Sequence, residues 1–434
     1  MIAPSQHNAI PRIALKAGRA GTFADNMRLP IHRWFRYSAG FSAEWVADII
    51  SANLAKGGIV LDPFSGSGTT LLAADSMGQS SIGYESHPFV AKIAQAKKRW
   101  HSSIDELIEL AAKVESYHSL WKDYEVEASQ APSLLMKCYT PEALAQLLAL
   151  RRGWEEETGN SHSSGAARLV WLALTAILRQ CSGAGTAQWQ YILPNQQKSR
   201  VAVPLAAFQA KIREMAVDMA FAQDAGWHRK CEMLSHDARS LPSPLEPASI
   251  DLVVTSPPYA NNYDYADATR LEMTFWGEIE GWADLNRSVR KHIMRSCTQH
   301  AASDRVVLNE ALADKRLDAI REEITGVCTE LEKVRLTKGG KKNYHTMLAA
   351  YFLDMSSVIL SLRKSCRDGA RMVMVIGDSA PYGVHAPVDR WLGELAVHAG
   401  FKSFSFEKIR DRNTKWKNRK HTVPLHEGYL WIEG

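Results

Sequence analysis

The chain has 434 residues, 46% apolar and 23% charged, so a full globular core is available. A formal charge of +5 and a pI near 8.7 are compatible with a polyanionic partner without requiring one. The six cysteines (138, 181, 231, 297, 328 and 366) form no C-x-x-C pair, which argues against a zinc site or disulfide framework and for a reduced, cytoplasmic protein. No continuous apolar run approaches the roughly 18 residues that would span a bilayer.

In chain order, the first 24 residues carry Arg12, Lys16 and Arg19 but no acid and no continuous apolar h-region, which argues against a secretory signal and reads as a flexible arm, residues 1–25. Trp34-Phe35-Arg36-Tyr37 follows, then a helix capped by Ser42 and carrying Trp45, Val46, Ile49 and Ile50, ended by Gly57-Gly58. Ile59-Val60-Leu61 is a short buried strand running into Asp62-Pro63-Phe64-Ser65-Gly66-Ser67-Gly68-Thr69-Thr70 and a helix. Glycines after a strand let the backbone turn tightly and approach a ligand with no Cβ in the way. Glu85 ends the next strand, Ser81 to Tyr84, 17 residues beyond Gly68, where an acid accepts both ribose hydroxyls of a nucleoside. The third glycine of a dinucleotide fingerprint is missing, and no Gly-Lys-Ser/Thr follows, so neither a dinucleotide site nor a phosphate loop is indicated.

Residues 101–227 read as mainly helical, with a buried helix over Leu169 to Leu178 and a loop from Cys181 to Gly185. Gln188-Trp189-Gln190-Tyr191 and Asn195-Gln196-Gln197-Lys198 gather aromatics and amides; such groups can stack on and read bases, although a polar turn beside a core tryptophan gives the same pattern. Lys230 to Leu234 is a third strand, ended by His236-Asp237-Ala238-Arg239. Ile250 to Val254 is the fourth, and Thr255-Ser256-Pro257-Pro258-Tyr259 stops it, because two prolines have no N–H for the ladder. A hydroxyl, fixed carbonyls and an aromatic face at the carboxyl end of a strand suit a planar, amine-bearing ring, hence a nucleobase.

About 80 mostly helical residues come next, with an apolar stripe through Leu308, Leu312, Leu317, Ile320, Ile324, Val327 and Leu331 that reads as packing. The basic turn Lys338-Gly339-Gly340-Lys341-Lys342 is either solvated surface or a phosphate contact. A helix from Tyr351, a strand Met372 to Ile376 closed by Gly377-Asp378-Ser379, and two last strands, 403–409 and 428–432, complete the chain. The last two flank a loop of Arg410, Arg412, Lys415, Lys417, Arg419 and Lys420 around Trp416. Seven strands, five alternating with helices and two forming a closing pair, give an α/β fold: a doubly wound, mostly parallel sheet with a reversed final hairpin and helical insertions.

Asp62 to Thr70 resembles motif I of the S-adenosylmethionine-dependent DNA amino-methyltransferases, and Thr255 to Tyr259 resembles their motif IV in its serine form. The likeness extends to Gly377-Asp378-Ser379. It implies a Rossmann-like catalytic domain over residues 26–100 and 228–434, with insertions at 101–227, the candidate target-recognition region, and at 266–345. It implies S-adenosyl-L-methionine as cofactor, held by Asp62, Pro63, Phe64, Gly66, Gly68, Thr69, Glu85 and Asp237, the last contacting the adenine. Ser256, Pro257, Pro258 and Tyr259 would be catalytic, with no metal. The methyl group would pass directly to the exocyclic amine of a base flipped from double-stranded DNA. No Pro-Cys pair occurs anywhere, which argues against carbon-5 methylation through a cysteine nucleophile.

Serine at the first motif IV position points to cytosine N4 ahead of adenine N6. An RNA amino-methyltransferase ranks third, disfavoured because only about 57 residues precede the first strand, and a non-catalytic DNA-binding protein ranks last. The cofactor motif precedes the catalytic one, opposite to many serine-type members. Trp34 to Phe41 is a candidate for the motif before motif I, the arm at 1–25 is a candidate DNA contact, and a cognate restriction or defence protein is an implied partner.

Overall fold

A computed structural model of the chain describes residues 23–37, 39–187, 190–228, 230–261, 263–301, 306–339, 342–412 and 423–434. Most of the N-terminal arm, Gln188-Trp189, Gly340-Lys341 and the loop containing Lys415, Trp416, Lys417, Arg419 and Lys420 lie outside the described residues.

Ser42 caps α1 (Ala43–Asn53) through its side chain, which accepts from the Trp45 N–H. β1 (Ile59–Asp62) leads into α2 (Thr69–Ser76), and β2 (Ser80–Tyr84) into α3 (Pro88–Lys97), whose first residue is proline. The long interval that follows folds as α4 (Ile104–Ser116), α5 (Glu125–Ser129), α6 (Ser133–Cys138), α7 (Pro141–Thr158) and α8 (Gly165–Cys181). A two-stranded antiparallel hairpin, β3 (Ala184–Thr186) with β4 (Ile192–Gln197), precedes α9 (Pro204–Asp224). The loop expected over Cys181 to Gly185 thus runs into a hairpin, whose strands are too short and too rich in glycine and amides to show alternation.

The sheet resumes with β5 (Cys231–Leu234) and β6 (Ile250–Thr255). Then come α10 (Arg270–Phe275), α11 (Leu308–Ala313), α12 (Arg321–Thr337), α13 (Tyr344–Ser365), β7 (Cys366–Gly377), α14 (Val388–His398), β8 (Ser403–Arg412) and β9 (Leu425–Glu433). The seven strands lie in the order β5-β2-β1-β6-β7-β9-β8. The first five are parallel, and β9 inserts between β7 and β8, antiparallel to both. The closing hairpin therefore contains one reversed strand, β9, and the order turns back beside β1 and β6, where ligands sit in such sheets.

Both faces of the central strands are covered, which is why their sequences are almost continuously apolar. Leu252, Val254, Val373 and Val375 pack under Trp45, Val46 and Ile50 of α1 and Ala73 and Ala74 of α2. The alternate residues Val253, Met372, Met374 and Ile376 pack against Phe352 of α13 and Trp391 of α14. By length and composition α13 is apolar enough to cross a membrane, yet 89% of its apolar window is buried inside the fold.

The helices of 101–227 share one core with the N-terminal segment, where Ile31, Trp34, Phe35 and Tyr37 meet Phe89, Trp100, Trp171 and Phe208. Asp218 of α9, 1% exposed, fixes that segment: it accepts from the Ile31 N–H, the Arg33 guanidinium and the Trp34 indole N–H. Four N–H donors on one buried carboxylate make this joint costly to open.

Candidate active site

One cavity lies at the carboxyl ends of β1, β2 and β6. Phe64, Ser65, Gly66, Ser67 and Thr69 line it from the glycine turn, Glu85, Ser86 and His87 from the end of β2, and Ser256 and Pro258 from the end of β6. Tyr37, Ala39, Gly40 and Phe41 close it on one side, with Tyr265, Ile293 and Met294 on the other. The two motifs, nearly 190 residues apart in sequence, thus share a cavity.

Gly66 and Gly68 have φ of +52° and +89°, a region that side chains avoid. A Cβ on Gly66 would also lie 2.8 Å from the Tyr37 ring. One strand over, a Cβ on Gly83 would fall 2.2 Å from the Ser65 hydroxyl, so β2 needs a bare Cα for the turn to pack on it.

Asp62 is fully buried and turned inward. Its carboxylate accepts from Thr70 Oγ1 (2.6 Å), Thr255 Oγ1 (2.7 Å) and the Phe64 N–H (3.0 Å). It therefore ties the glycine turn to the residue before Ser256 and does not line the cavity. Burial raises its pKa to about 6 against those three hydrogen bonds.

Glu85 does line the cavity. It accepts from the Gly66 N–H (2.9 Å) and the His87 N–H (2.7 Å), and burial pushes it up to about 7 despite them. His87 is 2% exposed and neutral, its pKa lowered by burial to about 3. Its Nε2 shares a hydrogen bond with Thr269 Oγ1, 3.0 Å away, whose direction depends on the tautomer of the ring. Among the described residues neither the other ring nitrogen, Nδ1, nor the Ser67 hydroxyl has a protein partner.

The Ser256 hydroxyl points at the Val375 carbonyl, 3.3 Å away. Pro257 is buried, and the Tyr259 ring lies beyond the cavity's lining, under the Arg412 guanidinium at 5.1 Å from its centroid. Asp237 is also outside the lining: its carboxylate takes the Arg239 N–H and guanidinium, and Arg239 goes on to Asp354. Pro63 and Gly68 shape the turn without facing the cavity.

Behind Tyr265 stands a node that sequence reading missed. Asp264 holds Arg290, the Ala266 N–H and His300 Nε2 (2.8 Å), and His300 Nδ1 reaches the Met294 carbonyl (2.9 Å). A ring that donates at both nitrogens is an imidazolium. Burial alone would lower His300, but Asp264 and Cys297 together more than reverse it, to about 9; burial alone would raise Asp264, but His300 and Arg290 hold it at about 2. The node pins residues 290–300, and with them Ile293 and Met294, to the segment after the Ser-Pro-Pro-Tyr turn. Its members lie 26 and 36 residues apart, beyond any local sequence signal.

A model of DNA methylases of the N6/N4 amino-methyltransferase type matches residues 14–96. The Type II methyltransferase M.BsoBI of Geobacillus stearothermophilus is 25% identical over 430 residues, 90% of this chain and 82% of its own. The Type II methyltransferase M.AvaI of Nostoc sp. is 23% identical over 93% of this chain and 85% of its own. M.MjaII of Methanocaldococcus jannaschii is 37% identical over 67 residues, 15% of this chain and 13% of its own. An rRNA methyltransferase, aviRa from Streptomyces viridochromogenes, covers 93% of this chain and 85% of its own at 10% identity and a TM-score of 0.28, too distant to bear on the fold. A glycine turn and a Ser-Pro-Pro-Tyr turn thus meet at one cavity in a chain that is similar to N6/N4 DNA methylases over residues 14–96 and to Type II methyltransferases over most of its length.

Proposed function

We propose that the protein transfers a methyl group from S-adenosyl-L-methionine to the exocyclic amine of a base flipped out of double-stranded DNA, cytosine N4 before adenine N6. The observation that carries this reading is the shared cavity: Gly66 and Glu85 line it together with Ser256 and Pro258. The DNA methylase model and the Type II relatives support DNA as the substrate.

The residues fit the cofactor. Glu85 is an acid at the strand end where ribose hydroxyls are taken, Gly66 leaves the backbone bare, and the unpartnered Ser67 Oγ and His87 Nδ1 are polar atoms waiting for a ligand. When bound, the cofactor supplies a methyl group made electrophilic by its sulfonium.

Ser256 spends its own proton on Val375, so its lone pairs are left to accept from the target amine, as does the Pro257 carbonyl. Those two hydrogen bonds favour a tetrahedral nitrogen and aim its lone pair at the methyl carbon. Tyr259 stacks on the base and fixes the line of attack. With the cofactor bound, the amine held by Ser256 and Pro257 would take the methyl group, the S–C electron pair would stay with sulfur, and the surplus proton would leave to solvent. Within this reading Asp62 braces the two turns against each other and touches neither ligand.

The test is incubation with methyl-labelled S-adenosylmethionine and separate DNA and RNA pools, followed by digestion to nucleosides. Label in N4-methylcytosine from DNA is the expected result. Label in N6-methyladenine shifts the target base, and label in RNA alone, or none, overturns the assignment.

A further inference from the structure

Arg412 is the last described residue of β8, and its side chain runs across the end of β7. A Cβ on Gly377 would lie 2.6 Å from Arg412 Nη1 and 3.1 Å from its Cδ, so the glycine opens the lane this side chain uses. Nη1 donates to the Asp378 carbonyl (2.7 Å), and the guanidinium plane sits over Tyr259. Among the described residues Arg412 spends one of its five N–H donors on a protein atom and forms no ion pair. Arg410, two residues earlier on the same strand, contrasts with it: it is held by both carboxylate oxygens of the buried Glu427, at 2.8 and 3.0 Å. One arginine is neutralised and the other is left with its donors open, beside the aromatic face on which a flipped base would stack.

Building on the methyl-transfer reading, we propose that Arg412 reads the target base: it covers Tyr259 until the base arrives and then donates two parallel N–H groups to adjacent ring acceptors. A base with its amine at Ser256 and its face on Tyr259 turns the rest of the same edge outward. On cytosine that edge continues with N3 and O2, two neighbouring acceptors that match a guanidinium fork. On adenine it continues with N1 and then a C–H, which takes one N–H only. Arg412 is thus the element that separates cytosine from adenine. A cation beside a nitrogen that gains positive charge does nothing for the chemical step, so its contribution falls on binding and base choice.

The test compares wild type with Arg412→Ala, Arg412→Gln and Arg412→Lys on PCR-amplified, unmethylated genomic DNA with labelled S-adenosylmethionine. It reads KM for DNA, kcat, the salt dependence of KM and the ratio of N4-methylcytosine to N6-methyladenine. Thermal melting and cofactor affinity confirm that each variant is folded. Arg412→Ala and Arg412→Gln should raise KM roughly 10- to 100-fold with kcat within about 3-fold, the range expected for one bidentate base contact. Arg412→Lys should not rescue, because a point charge cannot span two acceptors, and the cytosine product should fall relative to adenine. Rescue by Lys together with a salt slope lowered by about one in the Ala variant would make Arg412 a phosphate contact and overturn the proposal. An unchanged KM would overturn it too. If wild type makes no N4-methylcytosine, the cytosine reading itself fails, a result distinct from a wild type that makes it and variants that behave like it.

Discussion

Glu85, half-buried on the lining of the cavity, and Asp264, buried behind it, are carboxylates in opposite electrical settings. Glu85 has only backbone N–H partners, and burial leaves it at about 7, poised between its two charge states. Asp264 has Arg290 and the His300 imidazolium and is held at about 2, ionised at any working pH. On the proposed reading the first awaits a partner that arrives from outside, while the second is already paired with Arg290 and His300 and keeps a wall in place. A buried acid alone therefore does not mark a ligand site. The marks here are incomplete satisfaction and neighbours, such as His87 Nδ1 and Ser67 Oγ, that share the lack.

The comparison breaks most visibly at the anchor. Asp264→Ala leaves the guanidinium of Arg290 and the ring of His300 buried without their acid and should cost about 3–5 kcal/mol of stability, measured by denaturant unfolding. An equal loss from Glu85→Ala would erase the distinction between the two acids. Next in size, Tyr259→Ala should lower turnover roughly 100-fold, since it removes the surface that aligns the base, while the folded state survives. Single-turnover methyl transfer on DNA checks this.

The third prediction separates the two acids by pH. Glu85 is raised above its unfolded value of 4.5, so its contribution to the empty protein is complete below 4.5 and is lost as pH rises through 7. Asp62, raised to about 6, acts in the same direction. His300 is raised from 6.5, so the anchor is strongest below 6.5 and weakens as pH rises through 9. Asp264, lowered from 3.8, loses its part only as pH falls through 2. A cofactor that binds ionised Glu85 should therefore bind about 10-fold more tightly at pH 8 than at pH 6. Melting scans with and without S-adenosylmethionine should show its stabilisation growing over that range, while the decline toward pH 9 persists in both.

How much of this was legible in the chain follows from the range of each interaction. The strand-to-turn passages at Leu61-Asp62 and Val254-Thr255 were readable because an apolar run, glycines and prolines act locally. The seven strands followed from the same signals. What those residues do was less readable. Asp62 carries a motif position, but its work is done by Thr255, 193 residues away. Asp218 clamps Arg33 across 185 residues, and nothing near either announces the other. His87 sits two residues past Glu85, yet its ring is held by Thr269, 182 residues away. Ile293 and Met294 reach the cavity from a long insertion whose course is set by the Asp264 node. Asp237, which stood at a strand end like the others, is taken by Arg239 in the structure, a pairing two residues along that strand position alone did not reveal.

The most direct test is calorimetric titration of S-adenosylmethionine into wild type and Glu85→Gln across pH 6 to 8. The glutamine keeps the shape and cannot ionise. The account predicts affinity lowered roughly 10- to 100-fold at pH 8, as for hydrogen bonds to a charged group, and a pH dependence that disappears. A variant that binds as tightly as wild type, with the same rise through pH 7, would contradict the placement of the cofactor at Glu85.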